Sequence, residues 1–557
     1  MRGPMPFMRI PFRCVVASCV LFVALSLTES SAKDARTSST PNFVVLLADD
    51  LGFSDLGCYG GEIETPRLDQ LAREGLRFTQ FYNTARCWPT RGALLTGFYP
   101  QAIRRDRLPE GTGGGQGVRP VWARLLPHLL KPAGYRAYHS GKWHIDGPRL
   151  AGGFDHSYSL EDHDRHFNPK QHLRDDKPLP PVPPGSDYYT TTAIADHAIE
   201  CLKDHAANHP DRPFFQFVAF TTPHFPLHAK PEDIARYRER YQPGWDVIRQ
   251  QRWERIRQWG IVRGSLPEPE PDVFPPWNAT PETLVSNIGP GEVARMIPWT
   301  QLTAEQRTFQ TEKMAVHAAM IDRMDRDIGR ILDQLHNMTA WENTVILFLS
   351  DNGASAEQII RGDRHTFGAS PGSAASYLGL GPGWSTTANT PFRKHKSWVH
   401  EGGIATPLIV HWPDGIRRSD RGELRRTPGH VVDLVPTLLE WAGTSWPATA
   451  PGPNGTMVPV PAPHGRSFAP ALLRDLADPH EPLWWFHEGH RAVRAGDWKA
   501  VSVASPDGTA RWELYNIRRD RTETRNLAAA QPDRVRELTH LWTEMASHFS
   551  QLARPNP

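Results

Sequence analysis

The sequence predicts an α/β fold in which a large, mostly parallel β-sheet is sandwiched by helices, followed by a smaller C-terminal α+β domain. Three continuous apolar runs, residues 42–48, 214–220 and 344–349, suit strands that are buried on both faces of a parallel sheet. The segments between them have helical periodicity, as at residues 314–335. Strands that alternate with helices favour a parallel sheet, and shorter strand patterns near the C-terminus indicate the second domain.

The first 32 residues have the pattern of a secretory signal peptide. Three arginines precede an apolar stretch at residues 14–27, and the small residues 30–32 offer a cleavage site before Lys33, where a polar leader at 33–40 begins. An uncleaved membrane anchor is the alternative, but the apolar stretch is short for a bilayer and its flanks suit cleavage. We therefore expect an exported protein, periplasmic or secreted, without stable membrane insertion.

Polar residues follow each of the three apolar runs. Asp49 and Asp50 end the first run, His224 follows the second, and Asp351 and Asn352 follow the third. Because sites in open α/β sheets form outside the carboxyl ends of the strands, these side chains are expected to converge. Carboxylate and amide oxygens are the ligands that Ca²⁺ and Mg²⁺ prefer, although a helix cap or a solvated loop is the alternative for an acidic pair.

Composition predicts the domain boundaries. A catalytic domain at residues 41–447 is followed by a linker at 448–465, which is rich in Pro, Gly and Ala. The C-terminal domain, residues 466–557, carries short strand patterns such as 498–503 and a final helix near 533–549.

The charge balance and the cysteine count exclude several classes of protein. The 557 residues include 63 Lys and Arg against 61 Asp and Glu, a net charge of +2, which argues against a strongly basic nucleic-acid binder. Five cysteines are too few for a disulfide framework in an exported protein. Cleavage of the signal peptide would leave Cys58, Cys87 and Cys201. Cys58 lies in a turn pattern and Cys201 on the apolar face of a helix, so we interpret both as structural.

Cys87 opens a motif with a chemistry of its own. It begins Cys-Trp-Pro-Thr-Arg, which ends at Arg91 and continues as Gly-Ala-Leu-Leu-Thr-Gly. Pro89 favours the start of a helix, and a helix N-terminus offers N–H groups and positive potential to an anion. Cys-x-Pro-x-Arg followed by Leu-Leu-Thr-Gly resembles the signature of the sulfatase family, whose cysteine is oxidised after translation to formylglycine (3-oxoalanine) by a maturase. The structural alternative is an ordinary buried cysteine beside a loop arginine.

The resemblance extends through nearly the whole chain after residue 40. Segments 41–52 and 351–353 are similar to the family's two metal-binding strand ends, and 141–144 is similar to its Gly-Lys-Trp-His motif. Residues 485–494 are similar to arylsulfatase-type members. The resemblance implies an alkaline phosphatase-like fold and the hydrolysis of aryl or alkyl sulfates to an alcohol or phenol and inorganic sulfate.

One active-site stretch departs from the family pattern. Residues 391–396 place Lys394-His395-Lys396 where the family has Gly-Gly-Lys, so the spacing favours Lys396 and leaves Lys394 as the alternative. Just before this lysine, residues 357–390 form a long Gly- and Ser-rich insertion. We expect it to be a loop that shapes the substrate pocket.

The resemblance also implies roles for individual residues. The implied ligands of one Ca²⁺ are Asp49, Asp50, Asp351, Asn352 and the modified Cys87. Among the implied catalytic residues, Cys87 provides the formylglycine hydrate that attacks sulfur, and Arg91 and Lys142 stabilise charge. His224 or Lys396 protonates the leaving oxygen, and His144 takes the proton whose removal lets sulfate leave.

Two other functions stay open from the sequence. A phosphodiesterase or phosphonate hydrolase of the same superfamily acts on esters of similar shape, but usually has Ser or Thr in place of Cys87. A non-catalytic protein that binds sulfated glycans would be favoured if Cys87 were unmodified. The expected partners are a sulfated small molecule or a sulfated carbohydrate and a formylglycine-generating maturase, but no nucleic acid.

Overall fold

An eleven-stranded mixed sheet forms the centre of the fold. Its strands are β1 Asn42–Ala48, β2 Leu76–Tyr82, β3 Arg136–Lys142, β4 His156–Leu160, β5 His172–Arg174, β6 Lys177–Pro178, β7 Phe214–Ala219, β8 Thr344–Ser350, β9 Ala405–His411, β10 Leu424–Arg425 and β11 Gly429–His430. They lie in the order β10, β2, β9, β8, β1, β7, β3, β4, β5, β6, and β11 also pairs with β2. The central strands β8, β1, β7, β3 and β4 are parallel to one another, whereas β9 is antiparallel to β8 and β2. The predicted mostly parallel sheet is confirmed.

The structure, a computed structural model, describes residues 40–108, 116–362, 364–452, 455–476, 482–505 and 509–554, together with Met1 and Gly3. Apart from Met1, Gly3 and residue 40, the predicted signal peptide and leader lie outside the described residues, and export stays a prediction. From Pro41 onward the chain forms one compact unit. Within the described residues, no helix is both long enough and apolar enough to cross a membrane.

Helices pack on both faces of the sheet. They are α1 Pro66–Glu74, α2 Cys87–Thr96, α3 Leu126–Leu130, α4 Thr190–Asn208, α5 Pro231–Ala235, α6 Gly244–Gln258, α7 Pro281–Asn287, α8 Ala304–Asn337, α9 Gly381–Ala388, α10 Glu401–Ile404, α11 Leu434–Trp441 and α12 Pro532–Ala553. Side chains of β1 alternate between two hydrophobic cores, as the strand period of two requires. Val44 and Leu46 belong to the core that contains α4 and α8, whereas Phe43 and Val45 belong to the core that contains α2, α3 and α11. The sheet is therefore sandwiched by helices, as predicted.

The C-terminal part contains a small antiparallel sheet. Its strands are β14 Leu483–His487, β15 His490–Ala495, β16 Trp498–Val503 and β17 Arg511–Asn516, in that order. Helix α12 packs on this sheet, and the indoles of Trp484 and Trp542 stack with their ring centroids 5.5 Å apart. The smaller α+β region is confirmed. The predicted linker contains a short hairpin, β12 Thr449–Pro451 and β13 Met457–Pro459, and the limits of the domains stay a prediction.

The insertion at residues 357–390 is only partly a loop, which corrects the expectation from its composition. It contains helix α9, in which Trp384 is fully buried and donates its indole N–H to the carbonyl of Gln310 at 2.8 Å. A single buried indole anchors this short helix against the long helix α8, and a count of Gly and Ser does not reveal such an anchor.

Candidate active site

Three strand ends meet at one edge of the central sheet. Asp49 and Asp50 follow β1, Asp351 and Asn352 follow β8, and His224 lies in the turn after β7. Asn352 Nδ2 donates to Asp50 Oδ1 at 2.6 Å, and the backbone N–H of Asp50 lies 3.4 Å from Asp351 Oδ1. All these side chains are buried. The structure thus brings together the five residues that the sequence placed at this edge.

The backbone turns sharply at Asp50, which lets two consecutive carboxylates reach one site. Side chains of neighbouring residues in a strand point to opposite faces. Asp50 has a φ of 66°, in the left-handed region that Asp tolerates better than most residues. As a result, one potential ligand atom each from Asp49, Asp50 and His224 lie within 4.8 Å of one another.

Cys87 is the first residue of a buried helix. Helix α2 begins at Cys87, its first turn contains Pro89, and every residue of the helix except Trp88 is buried. Burial raises the pKa of the Cys87 thiol, and the positive charges of Lys142 and Lys396 only partly oppose this shift. An unmodified Cys87 would therefore be a neutral thiol, which is a much weaker nucleophile than a thiolate.

Arg91 lies one turn further along α2 and holds Asp351 in place. Its Nε and Nη2 donate to Asp351 Oδ2 at 2.9 and 2.8 Å, and its Nη1 donates to the carbonyl of Lys142 at 2.7 Å. Burial raises the pKa of Asp351 to about 7, with the charge of Asp49 adding to the shift and Arg91 opposing it. The guanidinium therefore favours the ionised form of this carboxyl group.

Two lysines bring positive charge to the acidic residues. Lys142 Nζ lies 2.6 Å from Asp49 Oδ2, and both side chains are fully buried. Lys396 Nζ lies 2.7 Å from Asp50 Oδ1. Lys394, in contrast, pairs with Glu270 at 2.6 Å. The structure thus places Lys396 in the site and Lys394 outside it.

Two buried oxygen atoms in this cluster have no hydrogen-bond partner in the described part of the chain: Asp49 Oδ1 and Asn352 Oδ1. A buried acceptor without a partner is unfavourable by about 1–3 kcal/mol. A hard divalent cation would satisfy both atoms, because carboxylate and amide oxygens are its preferred ligands. The residues present therefore fit a Ca²⁺ or Mg²⁺ ion.

Three histidine rings form a line along the site. The ring centroids of His144 and His163 are 5.3 Å apart, and those of His163 and His224 are 5.7 Å apart. Burial lowers the pKa of each ring well below its usual range, so all three rings are neutral at neutral pH. The sequence alone did not indicate His163, which follows β4, a strand whose carboxyl end lies at the same edge as that of β3.

Glu357 is a second residue that sequence reasoning missed. It is 3% exposed, and its Oε2 lies 3.4 Å from Lys396 Nζ. Its Oε1 lies 3.0 Å from Arg86 Nη2. The sequence offered one signal, an acidic residue six positions after Asp351, but nothing in its spacing indicated a contact with Arg86.

The sequence matches known proteins over most of its length. Residues 41–444 match the family model described as Sulfatase. The chain is 31% identical to an uncharacterized sulfatase of Schizosaccharomyces pombe, over 93% of this chain and 96% of that protein. It is 30% identical to an arylsulfatase of Klebsiella aerogenes, over 75% of this chain and 90% of that protein.

Solved structures share the fold at lower identity. A structure in complex with the substrate D-glucosamine-2-N,6-O-disulfate matches with a TM-score of 0.62 at 21% identity, over 92% of this chain and 99% of that one. A structure in complex with a neocarrahexaose matches with a TM-score of 0.60 at 22% identity, over 91% of this chain and 93% of that one. These two matches support the architecture alone.

Proposed function

Because the chain belongs to the sulfatase family, we propose that it hydrolyses sulfate esters through a formylglycine formed from Cys87, with Ca²⁺ held beside it. One observation carries the proposal: Cys87 begins a buried helix and feels the charges of Lys142 and Lys396, which pair with the carboxylates of Asp49 and Asp50. Such a site can receive the negative charge of a sulfate group and keep water out.

The acidic residues would hold the metal ion. Asp49, Asp50, Asp351 and Asn352 supply the oxygen atoms, and the bound Ca²⁺ would neutralise charge on the sulfate. Arg91 keeps Asp351 in position through two hydrogen bonds. The modified Cys87 would supply a hydrate, of which one hydroxyl attacks sulfur and the other allows sulfate to leave.

Lys396 is the better candidate for the acid that protonates the leaving oxygen. His224 Nδ1 lies 2.5 Å from the carbonyl of Phe225. A carbonyl only accepts hydrogen bonds, so Nδ1 carries the proton and Nε2 of the neutral ring has none to give. Lys396, as an ammonium group, has three N–H donors. His144 is neutral and would accept the proton whose removal lets sulfate leave.

Replacing Lys396 by methionine is expected to lower kcat by about 10²–10⁴-fold, the usual effect of losing a general acid. The loss should be larger for phenyl sulfate than for 4-nitrophenyl sulfate, because the poorer leaving group depends more on protonation. Steady-state kinetics with both esters measure this difference. Lys394→Met is the matched control, since Lys394 pairs with Glu270, and it should change kcat less than about threefold. Equal losses for the two esters would contradict the assignment of Lys396 as the acid.

The function itself is tested by comparing a sulfate ester with a phosphate diester. The protein, co-expressed with a formylglycine-generating maturase and supplied with Ca²⁺, should release sulfate from 4-nitrophenyl sulfate. We expect kcat/KM for bis(4-nitrophenyl) phosphate to be at least about a hundredfold lower, a difference of about 2.7 kcal/mol in transition-state binding. A preference for the phosphate diester would instead support a phosphodiesterase.

The comparisons suggest two classes of sulfate ester. One relative is named arylsulfatase, and others, at 27–28% identity, are named N-acetylgalactosamine-6-sulfatase. An aryl sulfate and a carbohydrate sulfate are therefore the two substrate classes to compare, and export of the protein would give it access to either.

A further inference from the structure

A stack of three flat side chains lies beside Cys87. Arg86 and Trp88 flank Cys87 in the chain, and the guanidinium carbon of Arg86 lies 5.3 Å from the Trp88 ring centroid. The same carbon lies 5.5 Å from the ring centroid of Trp277. Trp277 is 39% exposed. The outer end of the stack is therefore an indole that is accessible to solvent.

Hydrogen bonds hold this stack in one arrangement. Glu357 Oε1 accepts from Trp277 Nε1 at 2.9 Å and from Arg86 Nη2 at 3.0 Å. Arg86 Nη1 donates to Ser397 Oγ at 2.7 Å. A buried carboxylate thus fixes an exposed indole, and an aromatic surface that is fixed in this way loses little entropy when a ligand packs on it.

The stack is joined to the residues of the proposed reaction. The ring centroid of Trp88 lies 5.7 Å from that of His144. Glu357 is 3.4 Å from Lys396 through its second oxygen. The aromatic surface therefore lies next to His144 and, through Glu357, next to Lys396, the proposed acid for the leaving oxygen, where the organic part of a sulfate ester must sit.

Most polar groups of the stack already have hydrogen-bond partners within the chain. Glu357 Oε2 also accepts from Ser355 Oγ at 3.0 Å. Arg86 Nε and Trp88 Nε1 have no partner within the described residues, but both atoms are buried. A sugar needs side chains that hydrogen-bond its hydroxyl groups in addition to a ring face to pack on, whereas this wall offers mainly ring faces.

We propose that Arg86, Trp88 and Trp277 form a leaving-group subsite that selects aryl sulfates over carbohydrate sulfates, with Trp277 as its specificity-determining residue. This inference rests on the proposed function, because it assigns the organic part of the sulfate ester to this wall. Offset or edge-to-face packing of a substrate ring on Trp277 is worth about 0.5–1.5 kcal/mol beyond its buried area.

Ligand binding to a variant that cannot hydrolyse its substrate tests the proposed subsite independently of the reaction. In a Cys87→Ala background, Trp277→Ala is expected to raise the Kd of 4-nitrophenyl sulfate about three- to tenfold in isothermal titration calorimetry. Trp277→Phe keeps an aromatic face and should recover most of this loss. The Kd of glucosamine 6-sulfate should change less than about twofold in either variant.

The matched control is Trp259→Ala, because Trp259 is exposed to a similar extent, 42%, and lies in the turn after α6. It should leave the Kd of both ligands unchanged. Three results would each overturn the proposed subsite. Trp277→Ala could weaken the binding of both ligands equally, it could weaken the binding of glucosamine 6-sulfate alone, or 4-nitrophenyl sulfate could show no measurable binding. Failure of the Cys87 protein to hydrolyse any sulfate ester would overturn the proposed function alone, since the binding data do not depend on turnover.

Discussion

Replacing Cys87 by alanine is expected to abolish the hydrolysis of aryl sulfates, with kcat at least about 10⁴-fold below that of the parent protein. Alanine has no group that can be oxidised to an aldehyde, so neither hydroxyl of the hydrate can form. The remaining cations and carboxylates would still bind the ester. The expected effect is therefore a loss of kcat with little change in substrate affinity, which single-turnover kinetics and calorimetry distinguish.

Two other cysteines provide controls for this experiment. Cys201 is buried in helix α4, and Cys58 is partly exposed in a short 3-10 helix, where its backbone N–H donates to Asp69 Oδ1 at 2.7 Å. Cys58→Ala and Cys201→Ala should keep kcat within about threefold of the parent, although Cys201→Ala is expected to lower the melting temperature. Mass spectrometry of the tryptic peptide from Cys87 to Arg91 should find an aldehyde in active protein. Full activity with an intact thiol would contradict the covalent mechanism.

The parts of the fold that follow from the sequence are those with one strong local signal. Strand β1 was predictable to the residue, since Asn42–Ala48 is a continuous apolar run that ends in two aspartates. The same reasoning found β7 and β8, and the rule that parallel strands expose their carboxyl ends at one edge then placed Asp351 and His224 together. The helix at residues 314–335 was also found, and the structure extends it to Ala304–Asn337.

The parts that could not be predicted depend on contacts between distant segments. Strand β4 reads His-Ser-Tyr-Ser-Leu, which is not an apolar run, so nothing indicated that His163 would follow a strand of the same sheet. Trp277 and Glu357 are 80 positions apart, and Arg86 and Glu357 are 271 positions apart. Local patterns carry no information on such pairs, because the packing of the whole chain decides them.

The choice between Lys394 and Lys396 depends on their contacts more than on their spacing in the sequence. Lys394 and Lys396 stand two residues apart, and the sequence favoured Lys396 only by analogy of spacing. The structure separates them through their partners, since Lys396 lies against Asp50 whereas Lys394 lies against Glu270. A two-residue difference is enough to place one ammonium group in the site and the other outside it.

Asp49→Asn is expected to remove the divalent cation and to lower kcat/KM at least about a hundredfold. Asp49 is fully buried, its Oδ2 is bound by Lys142, and its Oδ1 has no partner within the described residues. An amide carries no negative charge to attract a cation. Losing a residue that only orients a metal ligand lowers metal affinity or activity by roughly 10–100-fold, and losing a charged ligand itself should have a larger effect. Elemental analysis of the purified variant should find less than one tenth of the Ca²⁺ present in the parent protein.

Stability provides a readout of the same ion that does not depend on activity. If only the folded chain binds Ca²⁺, a concentration one hundred times its Kd should stabilise the parent protein by about 2.7 kcal/mol, and chelation should remove this gain. The matched control is Asp55→Asn, because Asp55 is equally buried but pairs with Arg252 and His317 instead of with Lys142 or Lys396. This variant should be less stable than the parent and still gain stability from Ca²⁺, whereas Asp49→Asn should not respond to the ion. A Ca²⁺ response that survives in Asp49→Asn, or that is absent from the parent, would show that these carboxylates do not hold the metal, because a ligand cannot stabilise a fold to which it does not bind.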